Sequence, residues 1–268
     1  MGDNWYHMLV RLVERYTLDT LWSVANSFSK VVKHNDITLV FGTPNFACRN
    51  RVNQFSEKEP ETLDWIEGFE KSDIFFDVGA NIGLYSCYAG KLGIETYCFE
   101  PSVFNIMQLA TNIHRNGLSD RVSILTSPLL ELPRLDWMMH PDQTVGGALS
   151  SFSHNVTWDG SEIDANFKYK TLGMSLDAVV TWFGIPNPTH LKIDVDGIEL
   201  MILEGGSSVL SSVQSLLIEV NQDLKSQNAE MERILSDAGL KKTKQENSAL
   251  IRSNQFRQCV NQIWVRSQ

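Results

Sequence analysis

From Trp5 to Val32, apolar residues recur every three or four positions: Leu9, Leu12, Val13, Tyr16, Leu21, Val24, Ala25, Phe28, Val31 and Val32. That spacing predicts one or two amphipathic helices. Their polar side is not rich in Lys or Arg, so the stripe reads as core packing or a subunit contact, not a membrane-surface face. Ile37–Phe41 and Phe46–Phe55 read as strands around the Gly42–Asn45 turn. Pro60 then opens a helix over Glu61–Phe69, because proline suits the first helical position. From Asp73 the pattern changes. Ile74–Val78 is a short, nearly continuous apolar run ending in glycines, as a strand buried on both faces should be. A helix-like stretch leads to a second strand, Glu95–Glu100, then a helix over Val103–Arg115 and a third strand, Val122–Leu125. Residues 127–170 are less regular and read as an insertion over one end of the sheet. Order resumes with helix Ser175–Phe183, strand Leu191–Val195 and a helix from Ile198. Strand Ser215–Val220, helix Ala229–Ala238 and strand Gln262–Val265 complete the chain. Strands alternating with helices predict a doubly wound α/β fold with a mostly parallel sheet. Ligands would then bind at the carboxyl ends of the strands. Residues 1–70 are expected to form an N-terminal helix and strand extension, and 71–268 the α/β domain.

With 268 residues, 43% of them hydrophobic and 21% charged, there is enough apolar material for one large domain. No run approaches the roughly 18 apolar residues of a membrane span. A formal net charge of −9, with no basic block denser than Lys241, Lys242 and Lys244, argues against nucleic acid as a partner. Cys48, Cys87, Cys98 and Cys259 are scattered, with no C-x-x-C pair and no histidine at zinc spacing. Buried free thiols in a reducing cytoplasm are the expectation. Asp3, where a signal peptide would be basic, points the same way.

The candidate chemistry begins at Asp77-Val78-Gly79-Ala80-Asn81-Ile82-Gly83. Glycines here let the chain turn sharply and let a ligand approach the backbone. The dinucleotide pattern G-x-G-x-x-G, laid on Gly79, fails at Asn81 and Leu84, and no Walker lysine follows. Glu100 closes the next strand, where a carboxylate accepts hydrogen bonds from a ribose diol and repels phosphate. The pattern suits a cationic, phosphate-free nucleoside such as S-adenosylmethionine. A tight strand–helix turn without a ligand is the competing reading.

Three separated motifs carry a resemblance: DIFFDVGANIGLYS (Asp73–Ser86), Phe99-Glu100-Pro101 followed by Asn112, and HLKIDVDGIELMILEGG (His190–Gly206). With the lead-in KEPETLDWI (Lys58–Ile66), the chain over about 40–221 resembles the FkbM-type S-adenosylmethionine-dependent methyltransferases. The resemblance implies a class I methyltransferase, Rossmann-like fold with a seven-stranded sheet and one antiparallel strand. It implies methyl transfer to a hydroxyl of a sugar, polyketide or similar acceptor. Asp77 and the backbone of Gly79, Asn81 and Gly83 would hold the methionine portion of the cofactor. Glu100 would hold the ribose, Ser127 would flank the adenine, and Asp194 would sit beside the methionine amine or the reaction centre. Asp196 stands where the family usually has Glu, and Ser127-Pro128 where an alanine-containing stretch is common.

A hydroxyl acceptor must lose a proton to a general base or a metal-bound alkoxide. Lys192, Asp194 and Asp196 alternate along one strand, on one side, and Glu199 follows within a helical turn. They are the catalytic candidates, with an ion-pair network bracing the strand as the alternative for Lys192 and Glu199. Glu219 and Asn221 end the neighbouring strand and, with Asp194, offer oxygens that Mg²⁺ could use. His190 begins its strand and reads as structural; His140 and His154 read as solvated loop residues. Trp137, Phe152 and Trp158 are candidates for stacking on a sugar, and Arg49 and Arg51 for meeting an acidic substrate group. The partners implied are a small-molecule or lipid-linked sugar acceptor and a second copy in a homodimer. A non-catalytic nucleoside-binding scaffold, and a methyltransferase of protein or RNA, are the alternatives. The last is disfavoured by the acidic charge and by the lack of an Asn-Pro-Pro-aromatic motif.

Overall fold

The computed structural model describes residues 2–155, 157, 159–247 and 258–267. Helix α1 (Gly2–Ser27) leads into an antiparallel hairpin of β1 (Ser29–His34) and β2 (Ile37–Gly42). Val31 and Val32 therefore belong to a strand, not to the predicted helical stripe. Among the described side chains of α1, Val13, Tyr16, Leu21 and Trp22 are all exposed, Tyr16 by 68%, so these members of the stripe do not pack on the core. Helices α2 (Phe46–Asn53) and α3 (Pro60–Glu67) follow. The strand predicted over Phe46–Phe55 is thus mostly helix. The Asn45 side chain caps it, accepting from the Cys48 N–H at 2.9 Å, and Cys48 and Val52, four apart, form its buried side.

The central elements come next: β3 (Ile74–Val78), α4 (Leu84–Leu92), β4 (Glu95–Phe99), α5 (Val103–Arg115) and β5 (Val122–Leu125). Residues expected to be irregular instead form a small antiparallel sheet of β6 (Arg134–His140), β7 (Ser151–Phe152) and β8 (Phe167–Gly173). Helix α6 (Leu176–Phe183), β9 (His190–Ile193), α7 (Glu199–Glu204), α8 (Ser207–Leu210) and β10 (Ser215–Asn221) resume the alternation. It ends with α9 (Lys225–Asp237), β11 (Leu240–Asn247) and β12 (Cys259–Arg266). No strand was expected at β11. The seven-stranded sheet runs β11-β12-β10-β9-β3-β4-β5, and β12 alone runs against the direction of the other six strands.

The strands after β3 build outward in one direction and those after β9 in the other. A crevice therefore opens between the carboxyl ends of β3 and β9, at the switch in strand order. One apolar cluster lies under α6 to α9. The other joins Leu39, Phe41, Phe55 and Leu63 of the N-terminal part to Phe75, Ile82 and Leu109. The four cysteines are free and buried, as expected. Among the described residues no helix is long and apolar enough to cross a membrane.

Candidate active site

The loop after β3 is shaped by its contact with the end of β9. Gly79 has φ +88°, and a Cβ there would lie 1.9 Å from the Asp194 carbonyl oxygen. Only glycine fits. Most of the loop's own N–H groups are already used: Gly79 and Ala80 donate to the Phe99 carbonyl at 3.0 and 3.1 Å, and Gly83 to Ala80 at 2.8 Å. Asn81, at φ 52°, donates its N–H to Glu100 Oε2 at 2.7 Å. A loop with these donors spent is a poor phosphate cradle, in keeping with the failed nucleotide patterns.

Glu100 is buried, yet its carboxylate lies on a cavity wall, fixed by the Asn81 N–H and by the Ser102 N–H at 2.8 Å. Burial outweighs those bonds and pushes its pKa up to about 7. The cavity encloses about 820 Å³, within the range of small-molecule sites. Gly79, Asn81, Glu100, Ser127, Asp194 and Asp196, predicted from sequence, all line it. Val78, Phe99, Leu129, Met138 and Phe152 supply an apolar part of the wall.

Other candidates lie elsewhere. Asp77 is buried, accepts a hydrogen bond from Ser86 Oγ, and leaves its Oδ1 without a partner. Gly83, at φ +81°, is needed where a Cβ would come within 2.3 Å of Leu109, so the turn into α4 lies directly against α5. Neither lines the cavity. Lys192 is buried and donates to Asp194 Oδ2 at 2.5 Å, with its ammonium 5.1 Å from the centre of the Tyr85 ring. Tyr85 in turn donates to buried Glu59 at 3.0 Å, which pairs with Lys58 at 2.6 Å. Burial would raise Asp194 and Glu59. Lys192 and Lys58 outweigh it and hold both carboxylates low. The structure thus gives Lys192 the ion-pair arrangement foreseen as its alternative.

Asp196 accepts a hydrogen bond from the Leu149 N–H, and burial followed by repulsion from Asp194 raises it to about 6. Glu199, Glu219 and Asn221 meet around a separate void of about 10 Å³, room for about one water. Burial lifts Glu199 to about 8 and, with Asp194, lifts Glu219 well above its ordinary value. Glu219 also reaches the main cavity, whereas Asn221 does not, and Asn221 Oδ1 accepts from the Asp223 N–H at 2.9 Å. Among the described residues no group of three or more His, Cys, Asp or Glu side chains is placed to hold a metal ion. Of the candidates, Asp194 and Glu219 line the main cavity and Asn221 does not.

The histidines divide. His190 stacks on Phe69 at 3.7 Å and bonds Asp73 and Ser215, away from the cavity, as expected. His140 is not a solvated loop residue. It is buried on β6 against Tyr169, and burial lowers its pKa. The His154 Nδ1 is buried without a hydrogen-bond partner. Phe152 lines the cavity; Trp137 lies beneath Lys168 and Lys170 instead, and Trp158 falls outside the described residues. Sequence reasoning missed the wall made by α2 and the residues just after it: Phe46, Asn50, Arg51, Gln54 and Lys58 line the cavity, and of these only Arg51 was a candidate. Arg49 is exposed and off the wall. It also missed how firmly 145–149 are held over the site. Val145, Gly146, Gly147 and Leu149 bond Asn45, Arg51, Asn105, Asn81 and Asp196. Gly146-Gly147 was the available signal.

The donor set fits S-adenosylmethionine. A fixed carboxylate faces the cavity, the glycine loop allows close approach, apolar walls suit a base, and no phosphate cradle remains. Residues 77–241 match the family described as Methyltransferase FkbM domain. Over 183 residues the chain is 28% identical to hexuronic acid methyltransferase AglP of Haloferax volcanii, spanning 65% of this chain and 66% of that protein. Among solved structures it is similar to methyltransferase FkbM from Methylobacillus flagellatus, with 17% identity and TM-score 0.48. That match covers 72% of this chain and 44% of the other. It is also similar to magnesium protoporphyrin IX methyltransferase of Synechocystis, solved with bound S-adenosylmethionine: 12% identity, TM-score 0.49, 97% and 96% covered. The sheet order, with its single antiparallel strand, is that of the class I Rossmann-like methyltransferases. The family match takes in the glycine loop, Glu100, Asp194 and the insertion, and the chain belongs to the FkbM family of S-adenosylmethionine-dependent methyltransferases.

Proposed function

We propose that the protein moves the methyl group of S-adenosylmethionine onto a hydroxyl of a sugar, glycolipid or secondary-metabolite acceptor. The observation that carries the cofactor part is Glu100, fixed by two backbone N–H groups on the wall of a cavity whose glycine loop already uses the N–H groups of Gly79, Ala80, Asn81 and Gly83 within the protein. The sugar part is supported by the hexuronic acid relative and by Phe46, a cavity-lining aromatic that is 80% exposed and can stack on a sugar ring.

In this reading Glu100 takes the ribose hydroxyls, Gly79 and Asn81 back the methionine portion, Ser127 flanks the base and Asp194 takes the amine. When bound, the cofactor supplies an electrophilic methyl group on a sulfonium. The chain's part is to orient the acceptor, exclude water and receive a proton. In this reading Asp196 receives that proton; the support is that it lies on the wall, Leu149 holds its Oδ2, and above about pH 6 it is ionised. Calorimetric titration with S-adenosylmethionine and S-adenosylhomocysteine tests the cofactor site, and product mass from a panel of sugars and glycolipids tests the acceptor. Asp196→Asn should leave S-adenosylhomocysteine affinity unchanged and lower kcat by about 100-fold or more. Full activity in that variant would remove Asp196 as the base.

A further inference from the structure

Arg51 comes from α2, outside the residues 77–241 that match the family. It faces both the main cavity and a side chamber of about 50 Å³, which is bounded by Gly79, Asn81, Tyr85, Lys192 and Asp194. Its anchoring is specific. The Nε donates to the Gly146 carbonyl at 2.7 Å, and among the described residues that is the side chain's one hydrogen bond. The guanidinium plane is therefore fixed while its two terminal nitrogens are left for another acceptor. Lys58, paired with Glu59, lines the same two spaces. Together they form the cationic side of a wall otherwise dominated by Glu100, Asp194, Asp196 and Glu219. Arg51 lies close enough to Glu100, Asp194 and Asp196 to act electrostatically on all three, yet forms an ion pair with none of them.

We propose that Arg51, with Lys58 beside it, is the carboxylate-binding end of the cavity. A planar guanidinium presenting two N–H groups matches a carboxylate's two oxygens. Asp194 across the chamber would take the opposite charge of an α-amino acid, so a zwitterionic tail finds one anion and one cation. The inference rests on the cofactor reading above, under which two molecules can bring a carboxylate: the amino-acid tail of the cofactor and an acidic sugar acceptor.

Calorimetry on the intact chain separates them, using S-adenosylhomocysteine, methylthioadenosine (the same nucleoside without the amino-acid tail) and glucuronic acid. Arg51→Gln is expected to weaken S-adenosylhomocysteine about tenfold or more and to leave methylthioadenosine unchanged, with Arg51→Lys recovering part of the loss. Thermal melts establish that both variants are folded. If S-adenosylhomocysteine binding is unchanged but glucuronic acid no longer binds its complex, the site stands and its carboxylate belongs to the acceptor. Unchanged affinity for all three probes, or equal weakening of both nucleosides, would overturn the assignment. Should the wild-type protein bind neither nucleoside, the cofactor reading fails. Glucuronic acid binding that depends on Arg51 would then still uphold the carboxylate site, and its absence would sink it.

Discussion

Gly79 shows how one missing Cβ sets the geometry of the site. Gly79→Ala must hold a left-handed φ, costing about 1–2 kcal/mol, and push a methyl group into the Asp194 carbonyl. We expect the melting temperature to fall by about 5 °C or more and cofactor affinity to fall with it; a wild-type melt would refute the contact. Glu100 gives a pH signature. Its pKa is raised to about 7, so it is ionised above that value and protonated below. Ribose hydroxyls donate best to the ionised form. S-adenosylhomocysteine should therefore bind more weakly as pH falls from 8 to 6, by up to about tenfold per unit below the pKa. Glu100→Gln should bind weakly throughout with a flat profile, and a wild-type profile just as flat would dismiss Glu100 as the ribose ligand. Much of this was legible in the sequence, because a glycine loop followed by an acid at the next strand end has few other uses. Asp77 and Gly83 belong to the same motif but do not line the cavity: Asp77 accepts from Ser86 and Gly83 lies against Leu109.

Elements were legible in proportion to how deeply they are buried. The central strands β3, β4, β9 and β10 are short, largely buried and mostly apolar, and announce themselves. Helix α2 does not, because its sequence FACRNRVN buries only Cys48 and Val52 and turns most of its remaining residues to the cavity or solvent. Strand β11 carries Lys241, Lys242 and Lys244, a charged composition that guards a sheet edge and hides the strand from a hydrophobic pattern. The insertion's small sheet has one open face, with Leu135 and Leu172 exposed. The α2 cap offers a test at this scale. Asn45 accepts from Cys48 and, through its Nδ2, donates to Val145 of the covering segment at 2.9 Å. Asn45→Ala should cost about 1 kcal/mol and weaken cofactor binding. Asn45→Asp keeps the cap but loses the donor to Val145. If stability returns with Asp while binding stays weak, the two roles are separate; wild-type binding by both variants would deny the covering segment any part in binding.

At the scale of the whole molecule the N-terminal part divides into a piece wired into the core and a piece that is not. Leu39 and Phe41 of β2 are buried, and the Val40 and Gly42 N–H groups bond Asn116 and Asn112 at 2.8 Å. The hairpin is thereby tied to α5, and the chain that follows it brings Arg51 of α2, and then Lys58, to the cavity. By contrast the described side chains of α1 before Val24 are exposed and none lines the cavity. Burial accounts for most of a residue's stabilising contribution, so the two pieces should respond differently to deletion. Removing residues 1–23 should shift the melting temperature by no more than about 2 °C and leave S-adenosylhomocysteine affinity unchanged. Removing residues 1–45 should abolish both the cooperative melt and binding. The homodimer proposed from the Leu9–Val32 stripe is tested in the same samples by light scattering. A full chain with the mass of two copies that falls to one on removing 1–23 would place the second copy on α1, and a monomeric full chain would dismiss it. Wild-type stability after the longer deletion would contradict the hairpin's place in the core, and with it the account of how α2 is held against the site.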